Sequence, residues 1–235
     1  MHRRLASALG ALALAAVALT GCATGATDPD LGSQAGAAPE PDRGSLDVGA
    51  AWLAGGAAVG VVTQGSSSPG CAPRVEDAVA DSGVLVVTLS TDPAAACTRD
   101  LVPRGTLVML PEGLDAADGL DIQVTLDEVF GETSLEAFAG SDVEEYSPSA
   151  GWVDDGVVAV LTWGSSSCAP VVEAAVAESE TSVVVTFAKV AADQVCTMDM
   201  APRVAIATIE GEVSRDAQLS FLGGDTLPGL TIPIS

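Results

Sequence analysis

Short apolar runs separated by polar, glycine- and proline-rich breaks recur along the chain after residue 50, and their lengths suit strands better than helices. Residues 59–63 form one run that ends at a Gly-Ser stretch, and residues 84–89 form a second that is rich in β-branched side chains. Residues 106–110 and 122–126 supply a third and fourth, parted by the turn-forming Pro111-Glu112-Gly113 and Asp118-Gly119. The same set returns at 157–162, 183–187, 204–209 and 219–222. Residues 75–80 and 172–177 carry enough alanine for a helix, but Pro73 and Pro170 precede them and their valines suit a strand, so strand is favoured. The pattern predicts an all-β chain: two tandem, small, antiparallel β-sandwich-like modules at 50–126 and 151–235.

A repeat underlies this pattern. Gly65-Ser66-Ser67-Ser68, Cys71-Ala72-Pro73, Cys97-Thr98-x-Asp100 and Pro103-Arg104 return as Gly164-Ser165-Ser166-Ser167, Cys168-Ala169-Pro170, Cys196-Thr197-x-Asp199 and Pro202-Arg203. The offset is 99 residues at the Gly-Ser runs and again at the Cys-Thr pairs, the signature of a duplicated unit. Four cysteines in the modules allow three pairings, and the duplication selects one disulfide per module, Cys71 with Cys97 and Cys168 with Cys196. Closing loops of that size contributes roughly 3 kcal/mol each, which matters for modules below about 90 residues with few aromatics. Trp52 and Trp152 open the modules at matching positions and are expected to plug one end of each core.

Between the modules, residues 127–150 carry Asp127, Glu128, Glu132, Glu136, Asp142, Glu144 and Glu145 with no basic residue. Self-repulsion predicts an extended acidic linker, with a short helix around 134–139, and modules free to move relative to one another.

Ahead of the modules, His2, Arg3 and Arg4 precede an apolar run from Leu5 to Leu19, too short to span a bilayer and suited to a signal-peptide core over residues 1–21. Leu19-Thr20-Gly21-Cys22 follows. This resembles the lipobox of bacterial membrane-anchored lipoproteins, which implies that Cys22 is diacylglycerated on sulfur and becomes the first residue of the mature chain. Two or more acyl chains hold a protein stably at a membrane where one is marginal. Residues 22–49 are then a lipidated cysteine and a flexible tether poor in large apolar side chains, with a reach on the order of 30 Å. The duplicated module resembles a unit of uncharacterised extracytoplasmic proteins, and no activity follows from that resemblance. The expected location is the extracytoplasmic face of the cell membrane, on a lipid anchor.

Charge and composition narrow the chemistry. With 32 acidic against 9 basic side chains the chain carries a net charge of −23, and removing Arg3 and Arg4 with the leader makes it more negative. Such a surface repels nucleic acid, so no nucleic-acid partner is expected. The one histidine, His2, lies in the leader, which removes Ser-His and Cys-His nucleophile pairs and His-ligated zinc from the mature chain. Lys189 is the sole lysine and the sole candidate for a Ser-Lys dyad. The cysteine spacing lacks the Cys-x-x-Cys of a redox pair. Paired carboxylates for glycoside hydrolysis need aromatic sugar platforms, and aromatics make up only 3% of the chain. Asp115, Asp118 and Asp121 lack the spacing of a calcium loop and have no equivalent triplet in the second module. No catalytic residue, metal or cofactor is assigned.

What remains are the candidate binding groups, and both modules hold them: Ser66, Ser67, Ser68, Asp100 and Arg104, and Ser165, Ser166, Ser167, Asp199 and Arg203. The serine runs are expected to form tight turns that satisfy their own backbone. Asp100 with Arg104, and Asp199 with Arg203, stand four apart and are expected to form local ion pairs. The sequence therefore points to a non-catalytic envelope lipoprotein that displays two modules to a protein or cell-wall partner. The alternatives are a lipoprotein capturing a small ligand or cation for a membrane transporter, favoured if both serine turns face one pocket, and an inhibitor of a secreted hydrolase.

Overall fold

The computed structural model describes residues 44–224 and 229–235; the segments read above as a leader, a lipobox with Cys22 and a tether lie, as far as residue 43, outside the described residues. The described chain is all-β, and its sheets fall into two halves that repeat one plan. In the first, β1 (Val48–Leu53), β2 (Ala58–Gly65) and β5 (Val102–Met109) form a three-stranded sheet in the order β1-β2-β5. It faces a four-stranded sheet of β3 (Arg74–Asp81), β4 (Val84–Ser90), β6 (Leu120–Leu126) and β7 (Val129–Leu135), in the order β3-β4-β6-β7. The second half repeats this with β8 (Ser149–Asp154), β9 (Val157–Gly164) and β12 (Ala201–Thr208) against β10 (Val172–Ser179), β11 (Ser182–Phe187), β13 (Gln218–Gly223) and β14 (Thr231–Pro233).

Each four-stranded sheet is mixed rather than purely antiparallel, because β4 pairs with β6, and β11 with β13, in parallel. The chain leaves β4 for the other sheet as β5 and returns as β6, so it re-enters in the same direction. The hairpin turns between antiparallel neighbours are tight. Ser82-Gly83 and Asp127-Glu128 have positive φ at both positions, the geometry that matches the twist of flanking strands.

Alternation decides the four-stranded sheets. β4 alternates buried and half-buried residues, sending Leu85, Val87 and Leu89 inward to meet Val59, Val61, Ile122 and Val124. The second core is built likewise from Val158, Val160, Val183, Val185 and Leu219, with Phe187 and Phe221 stacked at 6.0 Å. Burying each such side chain stabilises by about 1.5–3 kcal/mol. Trp52 and Trp152 are buried in their own cores, and each indole N–H finds a carbonyl, that of Glu136 at 2.8 Å and that of Arg215 at 3.0 Å.

The three-stranded sheets do not alternate. The first six residues of β2 are buried without a break, since this sheet has apolar contacts on both faces. The outer faces of the two three-stranded sheets pack on each other through Ala51, Leu53, Ala159 and Leu161, with Leu107, Val153, Val204 and Ile206 around them. The described residues form a four-layer stack, and this shared apolar layer replaces the expected freedom between the modules.

Contact this close needs small residues. A Cβ on Gly151 would lie 2.2 Å from the Trp52 carbonyl oxygen, and one on Gly105 would lie 2.5 Å from Val204 Cγ1. Gly151 corresponds to Ala51 and Gly105 to Val204, so matching positions of the duplicate meet each other. Ala51, Gly60 and Leu107 form one cross-strand row, and Gly151, Ala159 and Ile206 form the matching row. A two-fold axis thus runs along these rows, across the strands, and strands stacked on their counterparts run in opposite directions.

The segment read as a linker contains β7, which pairs with β6 through the whole of its length, and no helix forms at 134–139. The polar alternation of β7 keeps Glu132 in water while Gly131 and Leu135 turn inward. Beyond it, Phe138 sets its ring edge-on against Trp52 at 6.2 Å and its N–H on the Ala116 carbonyl at 2.8 Å. The carboxylates of Glu136, Asp142, Glu144 and Glu145 all remain exposed. Repulsion is relieved by solvation rather than by extension.

Candidate functional site

Both disulfides form as the duplication predicts, Cys71 with Cys97 and Cys168 with Cys196, with Cα separations of 5.8 and 5.5 Å. Each bond fastens the Cys-Thr-x-Asp segment beneath the serine turn that leaves β2 or β9. The turn then closes on itself. The Ser67 N–H donates to Asp100 Oδ1 at 3.1 Å and the Ser166 N–H to Asp199 Oδ1 at 3.0 Å. The Thr98 N–H donates to Ser68 Oγ at 3.1 Å and the Thr197 N–H to Ser167 Oγ at 3.0 Å. The threonine hydroxyls give their protons to the same aspartates and accept from Ser66 and Ser165, at 2.7 and 2.8 Å.

The threonines are therefore the hubs, a role the sequence analysis did not assign, although the repeated Cys-Thr-x-Asp string carried the signal. Asp100 and Asp199 each collect a serine N–H and a threonine hydroxyl of the stapled loop, partners beyond the arginines that spacing suggested. The arginines part company. Arg203 donates to the carbonyls of Cys168 at 2.9 Å, Trp163 at 3.0 Å and Ser165 at 3.5 Å, tying turn, staple and strand together. Arg104 stands half-buried beside Gly65.

Hydrogen bonds fix the charge of the aspartates. The side chains of Ser67 and Thr98, then the Ser67 N–H, lower Asp100 from the ordinary 3.8 to about 2. Thr197, then Ser166, hold Asp199 lower still. A carboxylate held so low orders donors and is a poor acceptor for a hydroxyl proton near neutrality.

The outward positions of the two stapled ends differ. In the first module the staple is flanked by Arg74, Ala96, Arg99 and Leu101, and the matching places in the second hold Val171, Val195, Met198 and Met200. Val195 is 90% and Met198 103% exposed. Beside this end Tyr146 meets Trp163 edge-on at 5.1 Å, and the Trp163 indole donates to the Ser147 carbonyl at 3.2 Å.

The two ends point away from each other. Gln64 and Pro103, next to the first serine turn, line a cleft of ≈ 250 Å³ with Asp154 and Val157 from the far end of the second module. A shallower hollow of ≈ 520 Å³ lies on the four-stranded sheet of the first module, between Asp121, Gln123, Glu132 and Ser134. Neither contains a serine turn. Asp115 accepts the Ala117 N–H at 2.9 Å and caps a short 3-10 turn that includes Asp118. Comparison with protein-family models, with curated proteins and with solved structures finds no match.

Proposed function

We propose that this chain is a non-catalytic lipoprotein of the cell envelope, anchored through Cys22, whose β modules are held out on a tether to engage a protein or cell-wall partner. The observation that carries the reading is the opposed arrangement of the stapled ends: both serine turns face open solvent at opposite ends of one body. A ligand-capturing protein needs convergent groups around a shared concavity, and these groups diverge. The hydroxyls of each turn are spent on one another and on an aspartate, which favours a rigid platform over a reactive centre.

The test has two arms. Growth with labelled palmitate should put label on the wild-type chain and none on Cys22→Ser, which should leave the membrane fraction. Chemical crosslinking of the lipidated chain in intact cells should recover a protein or cell-wall adduct. Label retained by Cys22→Ser refutes the anchor, and recovery of lipid alone refutes the display of the modules.

A further inference from the structure

We infer that the stapled end of the second module is a docking surface for another protein, one offering an apolar pocket ringed by lysine or arginine. This rests on the display reading above and names the face and the chemistry of its partner. The two stapled ends share Ser-Ser-Ser, Cys-Thr-x-Asp and the hydrogen bonds that join them, with Pro69-Gly70 inserted ahead of the first staple alone. Within this shared frame the threonine and aspartate alternate with outward side chains, of which Arg74 and Arg99 give way to Val171 and Met198, while Ala96 and Leu101 stay apolar as the larger Val195 and Met200. At the second end these are Val171, Val195, Met198 and Met200, all exposed. Soluble proteins seldom hold so many large apolar side chains together in water without a use.

The shape and charge of this end select the occupant. Side chains as exposed as Met198 and Val195 protrude, so whatever buries them must supply a hollow, and unbranched methionine adapts to the walls of one. A second copy would bring the same protrusion and the same net charge of −23. The bilayer is the wrong neighbour, because its anionic head groups repel a chain of net charge −23 that carries Glu173 and Asp193 at this end. Glu173 and Asp193 are exposed beside the apolar tip, as is Lys189, and in a chain of net charge −23 the acidic groups prevail, so complementary positive charge on a partner's rim would steer and orient the encounter.

The experiment places a photoreactive benzoylphenylalanine at Met198, and separately at Arg99, in the full lipidated chain in its own cells. The Met198 probe should yield a protein adduct whose crosslinked peptide is apolar and flanked by basic residues. The adduct should fall about tenfold in a Val195→Asp, Met200→Asp background that melts at the parent temperature, and severalfold in about 0.5 M salt. A Met198 adduct made only with lipid, with glycan or with a second copy overturns the inference, as does a protein adduct indifferent to the two substitutions. Protein adducts from Arg99 alone leave the display reading standing and remove this surface. No adduct from either site removes both.

Discussion

The two stapled ends are the same device with different faces. Both use a disulfide to bring a threonine beneath three serines and an aspartate to collect the resulting donors. At the first end the device carries Arg74 and Arg99; at the second, Val171 and Met198. The difference separates what holds the loop from what the loop presents. Stability resides in positions the copies share, and the proposed recognition in positions where they part.

The comparison presupposes that the modules are fixed back to back, so the most damaging change is one that wedges them apart. Gly151→Val would drive a side chain into the Trp52 carbonyl, which cannot move aside as a side chain would. A loss on the order of 4 kcal/mol is expected in denaturant unfolding, at the upper end for single substitutions. An unchanged midpoint would mean that the sheets are not in contact.

Next come the staples. Replacing both cysteines of either pair by serine should lower stability by about 3 kcal/mol, because the loops, with separations of 26 and 28 residues, are of nearly equal length. Equal losses in the two double variants, read from melting curves, are the expected result; a large inequality would show that the staples are not equivalent. Thr98→Ala and Thr197→Ala remove the hubs and should each cost about 1 kcal/mol by the same assay.

Acid distinguishes the ends more finely. Both aspartates titrate lower in the folded chain than in the unfolded one, so their contribution is complete above the ordinary 3.8 and disappears as the pH falls through the folded value. That point is about 2 for Asp100 and lower for Asp199. On acidification the amide of Ser67 should lose exchange protection before that of Ser166. The smallest effect belongs to the faces themselves. Exchanging Arg99→Met with Met198→Arg should shift stability by less than about 0.5 kcal/mol, and any adduct specific to the second end should follow the methionine.

Much of this was legible in the chain. The apolar runs at 59–63, 84–89, 157–162 and 183–187 fall inside β2, β4, β9 and β11, and the alanine-rich pair at 75–80 and 172–177 forms strands. The disulfide pairing followed from duplication alone. What escaped is what depends on neighbours distant in sequence. β1 and β8 are built around glycine, alanine and a tryptophan (Val-Gly-Ala-Ala-Trp-Leu and Ser-Ala-Gly-Trp-Val-Asp) with little alternation, because both their faces are covered. β7 was hidden by Glu132 and by the acidic residues that flank it, which a strand at the edge of a sheet can leave in water. Spacing suggested Arg104 as the partner of Asp100, whereas the bond from Cys71 to Cys97 brings to it the Thr98 hydroxyl and the Ser67 N–H, which spacing does not reveal. Nothing local marked Gly105 and Gly151 as the points where two sheets meet.

The in-plane symmetry of the four layers has a consequence for how such a molecule comes to exist. A single copy would carry a three-stranded sheet with one face bare, and would need a twin from solution to cover it. Joining two copies head to tail makes that meeting intramolecular, with an effective concentration set by the connecting segment instead of by expression level. Fusion also frees the pair from sameness: in a homodimer every substitution at one tip appears at the other, whereas in one chain each tip is free to take its own course.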